Sequence, residues 1–131
     1  MRVVLDTNVI VSAFLSPAGK PAAILRMALL HDFDICINTA ILTEYEQVLC
    51  RPKFAEKISP TTIQRFIDIV YLLGVKIDCA PSLIDLPDED DKKFYDTAKV
   101  AGAILVTGNK KHYPDETFIK DPAEFLSSMP K

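Results

Sequence analysis

The chain has no tryptophan, and its 131 residues include only four glycines, three cysteines and two histidines. Each shortage excludes something. Gly19, Gly74, Gly102 and Gly108 are scattered. They form neither the glycine fingerprint of a dinucleotide-binding fold nor the loop that cradles nucleotide phosphates. Cys36, Cys50 and Cys79 are odd in number and contain no C-x-x-C, so reduced, core-filling thiols are expected rather than zinc ligands or disulfides. No apolar run approaches the roughly 20 residues of a membrane-spanning helix. The opening MRVVLDTNVIVSAF resembles a signal peptide, but Asp6 and Asn8 interrupt it and no small-residue cleavage site follows cleanly. A cytoplasmic protein with no membrane partner is the expectation.

A strong charge excess is also missing. Fifteen basic residues face eighteen acidic ones, a formal charge of -3. Residues 66–131 carry twelve acids against eight bases, and residues 1–65 are nearly balanced. Such a chain does not grip nucleic acid by bulk charge. A nuclease with local basic contacts and metal-masked acids stays open. What is present is 49% apolar and 25% charged residues, the composition of an ordinary soluble protein. The length suits one domain, 1–131, able to bury a core without a disulfide or metal staple.

Val3 to Leu5 reads as a buried strand ending at Asp6, followed by a short helix over Val9 to Leu15. Pro17 to Gly19 break the chain, and Pro21 suits the first turn of a helix to about Leu30. Phe33 to Ile37 is a second strand. Thr39 to Leu49 carries a helical stripe of Ile41, Leu42, Tyr45, Val48 and Leu49. Ser59-Pro60 starts a longer helix, which Gly74 stops. Val75 to Ile77 is a third strand, and Pro81 to Asp91 a loop. A helix over Asp91 to Ala101 ends at Gly102, before a strand over Ala103 to Val106. Phe118 and Ile119 suit an edge strand, and Asp121-Pro122-Ala123-Glu124 has the form of a capping box before a last helix. This alternation predicts a three-layer α/β/α domain around a central, mainly parallel sheet.

Three acids occupy informative places. Asp6 follows the first strand, Glu44 sits early in the helix after the second, and Asp91 begins the helix before the fourth. In an open parallel sheet, groups beyond the carboxyl ends of the strands share a crevice. Close carboxylates are costly unless one is protonated or a cation intervenes, and hard oxygen donors suit Mg²⁺ or Mn²⁺. Metal-dependent phosphodiester hydrolysis follows naturally. Taken singly, Asp6 also fits a turn, Glu44 a solvated helix face, and Asp91 a cap. Asp96, five positions past Asp91, is rotated off its ridge but within reach of a pocket edge.

These residues resemble a PIN-domain nuclease, of the branch described as toxin components of toxin–antitoxin systems. The resemblance rests on VVLDTNVIVSAFLSPAG, INTAILTEYEQVLCRPKF and LPDEDDKKFYDTAKVAGAILVTGNKKHYP, and spans roughly residues 2–115. It implies metal binding by Asp6, Glu44 and Asp91, with Asp96 as an additional acid. Many such domains carry Asp where this chain has Asn109. An asparagine offers a carbonyl oxygen without charge, so a weaker or water-mediated contact is implied there. The resemblance also gives Thr7, Asn8 and Thr107 supporting roles at the strand ends.

The implied activity is an Mg²⁺- or Mn²⁺-dependent endoribonuclease leaving 5′-phosphate and 3′-hydroxyl ends. Lys110 and Lys111 are the best local phosphate contacts, with Lys92, Lys93, Arg51 and Lys53 as additions and His112 as a further substrate contact. Tyr113 is a candidate for stacking on a base. His31, between a helix and a strand, reads as structural. The resemblance implies an RNA substrate and a cognate protein antitoxin, and allows a homodimer. Two rivals stand beside it: a DNA or flap-type metal phosphohydrolase, and a noncatalytic PIN-fold interaction domain.

Overall fold

In the computed structural model, which describes residues 1–130, five strands form a wholly parallel sheet. They are β1 (Arg2–Leu5), β2 (Asp34–Ile37), β3 (Val75–Lys76), β4 (Ile104–Val106) and β5 (Ile119–Lys120), in the order β3-β2-β1-β4-β5. Six α-helices connect or close them: α1 (Thr7–Leu15), α2 (Lys20–Leu29), α3 (Thr39–Leu49), α4 (Pro60–Leu73), α5 (Lys92–Ala101) and α6 (Pro122–Ser128). Parallel crossovers are right-handed, so the outward run β1 to β2 to β3 places α1–α4 on one face, and the reversal to β4 places α5 on the other. The expected three-layer α/β class is what forms.

The central strand explains the start of the sequence. Val3, Val4 and Leu5 have no exposed surface, because β1 is flanked by β2 and β4 and covered on both faces. Burying each such side chain is worth roughly 1.5–3 kcal/mol. Phe14 meets Phe66 edge-on at 5.2 Å and Phe33 meets Phe125 at 5.6 Å, which fastens α1 to α4 and α6 to the start of β2.

Local signals account for the element ends. Asn38 and Ser59 cap α3 and α4 through their side chains. Asp121 and Glu124 form the reciprocal capping box of α6. Gly102 adopts φ 63, the left-handed stop of α5. Gly74 ends α4 as expected, but with an ordinary φ of -72. Glycine is required there by space: a Cβ would lie 2.6 Å from Ile37 Cδ1 and 2.7 Å from the Val70 carbonyl oxygen. The Pro81–Asp91 loop ends in a short 3-10 turn, Glu89–Asp91, capped by the Asp88 side chain.

The cysteine expectation holds for one residue of three. All are free thiols, but only Cys36 is buried, Cys79 is half-buried and Cys50 is exposed. Among the described residues no single helix is long and apolar enough to cross a membrane.

Candidate active site

The order of strand addition reverses between β1 and β4, where open α/β folds form a crevice beyond the carboxyl ends of the strands. The register pairs Leu5 with Val106, so the next residues, Asp6 and Thr107, emerge side by side. The Asp6 backbone N–H donates to the Val106 carbonyl at 3.0 Å, and the Thr107 hydroxyl donates to Asp6 Oδ2 at 2.8 Å. Beyond these ends lies a cleft of about 680 Å³.

Asp6 is 4% exposed, and it does not serve as a helix cap, because its side chain makes no capping bond to α1. Its Oδ2 instead accepts from the Thr107 hydroxyl, from the Tyr113 hydroxyl at 2.9 Å and from the Asn8 amide at 3.3 Å. Asn8 also accepts from the Gly108 backbone N–H at 2.9 Å, tying the β1 and β4 ends together. Burial pushes the Asp6 carboxyl up from its ordinary range, and the hydrogen bonds from Thr107 and Tyr113 offset part of that shift.

Asp91 reaches the same cleft from the N-terminus of α5, and again makes no side-chain cap bond. Its Oδ2 is buried and has no hydrogen-bond partner among the described residues. The nearest cation candidate, His112 Nδ1, stands at 3.4 Å, beyond a good hydrogen bond. Burial, then the negative charges of Asp6 and Asp88, push the Asp91 carboxyl up to about 6.

Glu44, in the second turn of α3, is neither free nor solvated. One oxygen accepts from the Thr7 hydroxyl and the other pairs with Lys93 Nζ at 2.7 Å. Five carboxylates line the cleft against two basic side chains, Arg51 and Lys93. The donor set fits a hard divalent cation, because an unpartnered buried carboxylate oxygen beside a second buried carboxylate is what such an ion relieves. Among the described residues no three His, Cys, Asp or Glu side chains gather tightly enough to ligate one ion. The fit is therefore to two carboxylates with water or phosphate completing the shell, the usual Mg²⁺ arrangement.

Several expected residues lie elsewhere. Asp96 is turned away from the cleft: its two oxygens accept from the Ser82 backbone N–H at 3.0 Å and the Ser82 hydroxyl at 2.6 Å. Its 5% exposure and its position one turn and a half past Asp91 make it a clasp for the Pro81–Asp91 loop, not a partner of Asp6. Asn109 does not line the cleft either, and contributes a backbone N–H bond to Thr107 at 3.0 Å. Lys110 is paired with Glu124 at 2.9 Å, and Lys53 lies over the Phe54 ring. Lys92 faces a neighbouring groove with Asp78 and Glu89. Lys111 is exposed and His112 half-buried beside Asp91. His31 is exposed and pairs with Asp34 at 2.8 Å at the α2–β2 junction, outside the cleft.

Two residues have roles that the sequence did not disclose. Tyr113, a candidate for base stacking, is only 7% exposed and spends its hydroxyl on Asp6. Asn38 caps α3 through Oδ1 and donates to Thr97 Oγ1 at 2.9 Å and to the Ile77 carbonyl at 3.2 Å. That bond set fixes α5, and with it Asp91, against the end of β2. An asparagine directly after a strand was the available signal.

Residues 2–111 match the family model of the PIN domain. An uncharacterized protein of Methanocaldococcus jannaschii is 30% identical over 127 residues, covering 96% of this chain and 79% of the relative. The crystal structure of VapBC2 from Rickettsia felis bound to a DNA fragment from their promoter contains a chain of similar fold. It has a TM-score of 0.59 at 20% identity, covering 92% of this chain and 97% of that one.

Proposed function

The chain belongs to the PIN-domain family, and from that membership and its cleft we propose that it is a divalent-metal-dependent endoribonuclease. The observation that carries this reading is the buried, unpartnered Asp91 Oδ2 beside the buried Asp6 carboxylate. A phosphodiester does not approach five carboxylates and two basic groups without added positive charge. Asp6 and Asp91 would hold Mg²⁺ or Mn²⁺, which supplies charge to the phosphodiester in its transition state and acidifies water.

The chain's own residues prepare that centre. Thr107, Tyr113 and Asn8 fix Asp6 through one oxygen and set its orientation. Arg51 and Lys93 on the cleft wall, with exposed Lys111 outside it, are the groups that position an RNA backbone. The cleft is open, which suits a single strand or a loop. By analogy with the VapBC2 assembly whose chain shares this fold, the proposal extends to a toxin component with a protein antitoxin as partner.

Cleavage of matched single-stranded RNA, structured RNA and DNA in Mn²⁺ and in EDTA tests the reading. RNA is expected to be cut in Mn²⁺ alone, and the Asp6→Asn and Asp91→Asn variants are expected to be inactive. Preference for DNA would favour a DNA phosphohydrolase. Metal-independent cleavage unchanged in both variants would remove the mechanism. Tight partner binding without cation binding or hydrolysis would favour a noncatalytic domain.

A further inference from the structure

The acids of the cleft fall into two kinds. Asp6 and Asp91 face no cation at ion-pair distance except His112: Asp6 is 4% exposed and is met only by neutral donors, and the buried Asp91 Oδ2 has no hydrogen-bond partner among the described residues, with His112 Nδ1 at 3.4 Å. Glu44 is compensated at both oxygens, by the Thr7 hydroxyl and the Lys93 ammonium. Lys93 is no loose surface lysine. Its side chain is 23% exposed, its ammonium also donates to the Asp90 carbonyl at 2.7 Å, and it lies 5.5 Å from the Phe94 ring centroid. Three neighbours thus hold one positive charge in the cleft wall, one residue before the packed face of α5.

We propose that Lys93 is a built-in cation that keeps Glu44 out of the metal's coordination shell, so that the protein binds a single divalent ion through Asp6 and Asp91. Recruiting Glu44 to an ion would require breaking an ion pair at 2.7 Å and a hydroxyl bond, and would leave the Lys93 ammonium facing a divalent charge. Binding at Asp6 and Asp91 breaks neither, and partners the orphaned oxygen. The lysine then does for Glu44 what a second ion does in a two-metal centre: it neutralises the carboxylate and presents positive charge to phosphate. Lys93 is a positioning residue in this scheme, and the inference rests on the metal-dependent reading above.

Calorimetric titration of the metal-free protein with Mn²⁺, with bound ion counted independently by electron paramagnetic resonance, tests it without any activity assay. Wild type is expected to bind one ion per chain. The Glu44→Gln/Lys93→Gln double variant removes the pair together and keeps the cleft charge unchanged. It should bind Mn²⁺ within about threefold of wild type, whereas Asp91→Asn should lose at least about tenfold. Lys93→Gln alone frees Glu44 and should bind a second ion. Circular dichroism melts establish that each variant is folded. A double variant as weak as Asp91→Asn, or two ions bound by wild type, would overturn the role of Lys93 while leaving a metal centre in place. No Mn²⁺ binding by wild type would instead remove the metal-dependent reading itself.

Discussion

Tyr113 shows how a side chain's role depends on what the fold places beside it. In KKHYP it is one aromatic residue in a polar stretch, and nothing there points to Asp6, more than a hundred positions earlier. The fold gives its hydroxyl a carboxylate at 2.9 Å, and burial with the nearby charges of Asp6 and Asp91 raises the phenol far above its ordinary range, so it stays a donor. Tyr113→Phe is expected to weaken Mn²⁺ binding by about 10–100-fold, as loss of a partner to a ligating carboxylate does. The expected stability cost is about 1 kcal/mol, measured by urea unfolding. Asp91 gives a pH test. Its carboxyl is raised to about 6 from an ordinary 3.8, so its contribution to stability is fully present below pH 3.8 and is lost as pH rises through 6. In EDTA, the melting temperature of Asp91→Asn relative to wild type should therefore rise between about pH 4 and pH 6 and level off above that. A difference that stays flat or falls would show that Asp91 is not under strain. Asp6, Glu44 and Asp91 were legible because strand ends and helix starts announce themselves. Asp96 was misplaced because five residues along a helix turn a side chain to another face, and Ser82 claims it there.

The elements were the most legible level, because their signals are local. The helix Thr39–Leu49 follows from apolar spacing, and the start and end of Pro60–Leu73 from Ser59, Pro60 and Gly74. Two glycines that look alike as helix stops separate at this scale. Gly102 has φ 63 and open space around a would-be Cβ, so Gly102→Ala should cost about 1 kcal/mol of purely conformational strain. Gly74 has an ordinary φ but no room, so Gly74→Ala should cost about 1–3 kcal/mol through the Ile37 side chain and the Val70 carbonyl. Urea unfolding of the two variants, with Ile37→Val added to each, separates the causes: Ile37→Val should soften the Gly74→Ala cost and leave the Gly102→Ala cost unchanged. Close approach between α4 and β2 is a long-range fact, which is why no local pattern disclosed it.

At the scale of the molecule, the even charge balance acquires a location. Acids concentrate in one cleft, and much of the nearby basic charge is already engaged: Lys93 with Glu44, Lys110 with Glu124. Close to the cleft, Arg51 and Lys111 remain for phosphate, with the paired Lys93 beside them. RNA binding by the inactive Asp91→Asn variant should therefore depend shallowly on salt, with a log–log slope no steeper than about -2, as three or fewer contacts to a single strand give. A much steeper slope would require phosphate contacts by basic residues beyond the cleft. The architecture itself was readable from the alternation of strands and helices. That the acids share one crevice was readable from the same alternation, but which oxygens meet which partners was not, because that depends on the β1–β4 register and on long-range contacts such as Lys93 with Glu44. The most direct measurement is anomalous scattering from Mn²⁺-soaked crystals. One peak shared by the carboxylates of Asp6 and Asp91 is expected, with Glu44 still on Lys93. A cleft without a peak at saturating Mn²⁺, or an ion seated away from both aspartates, would contradict the proposed centre.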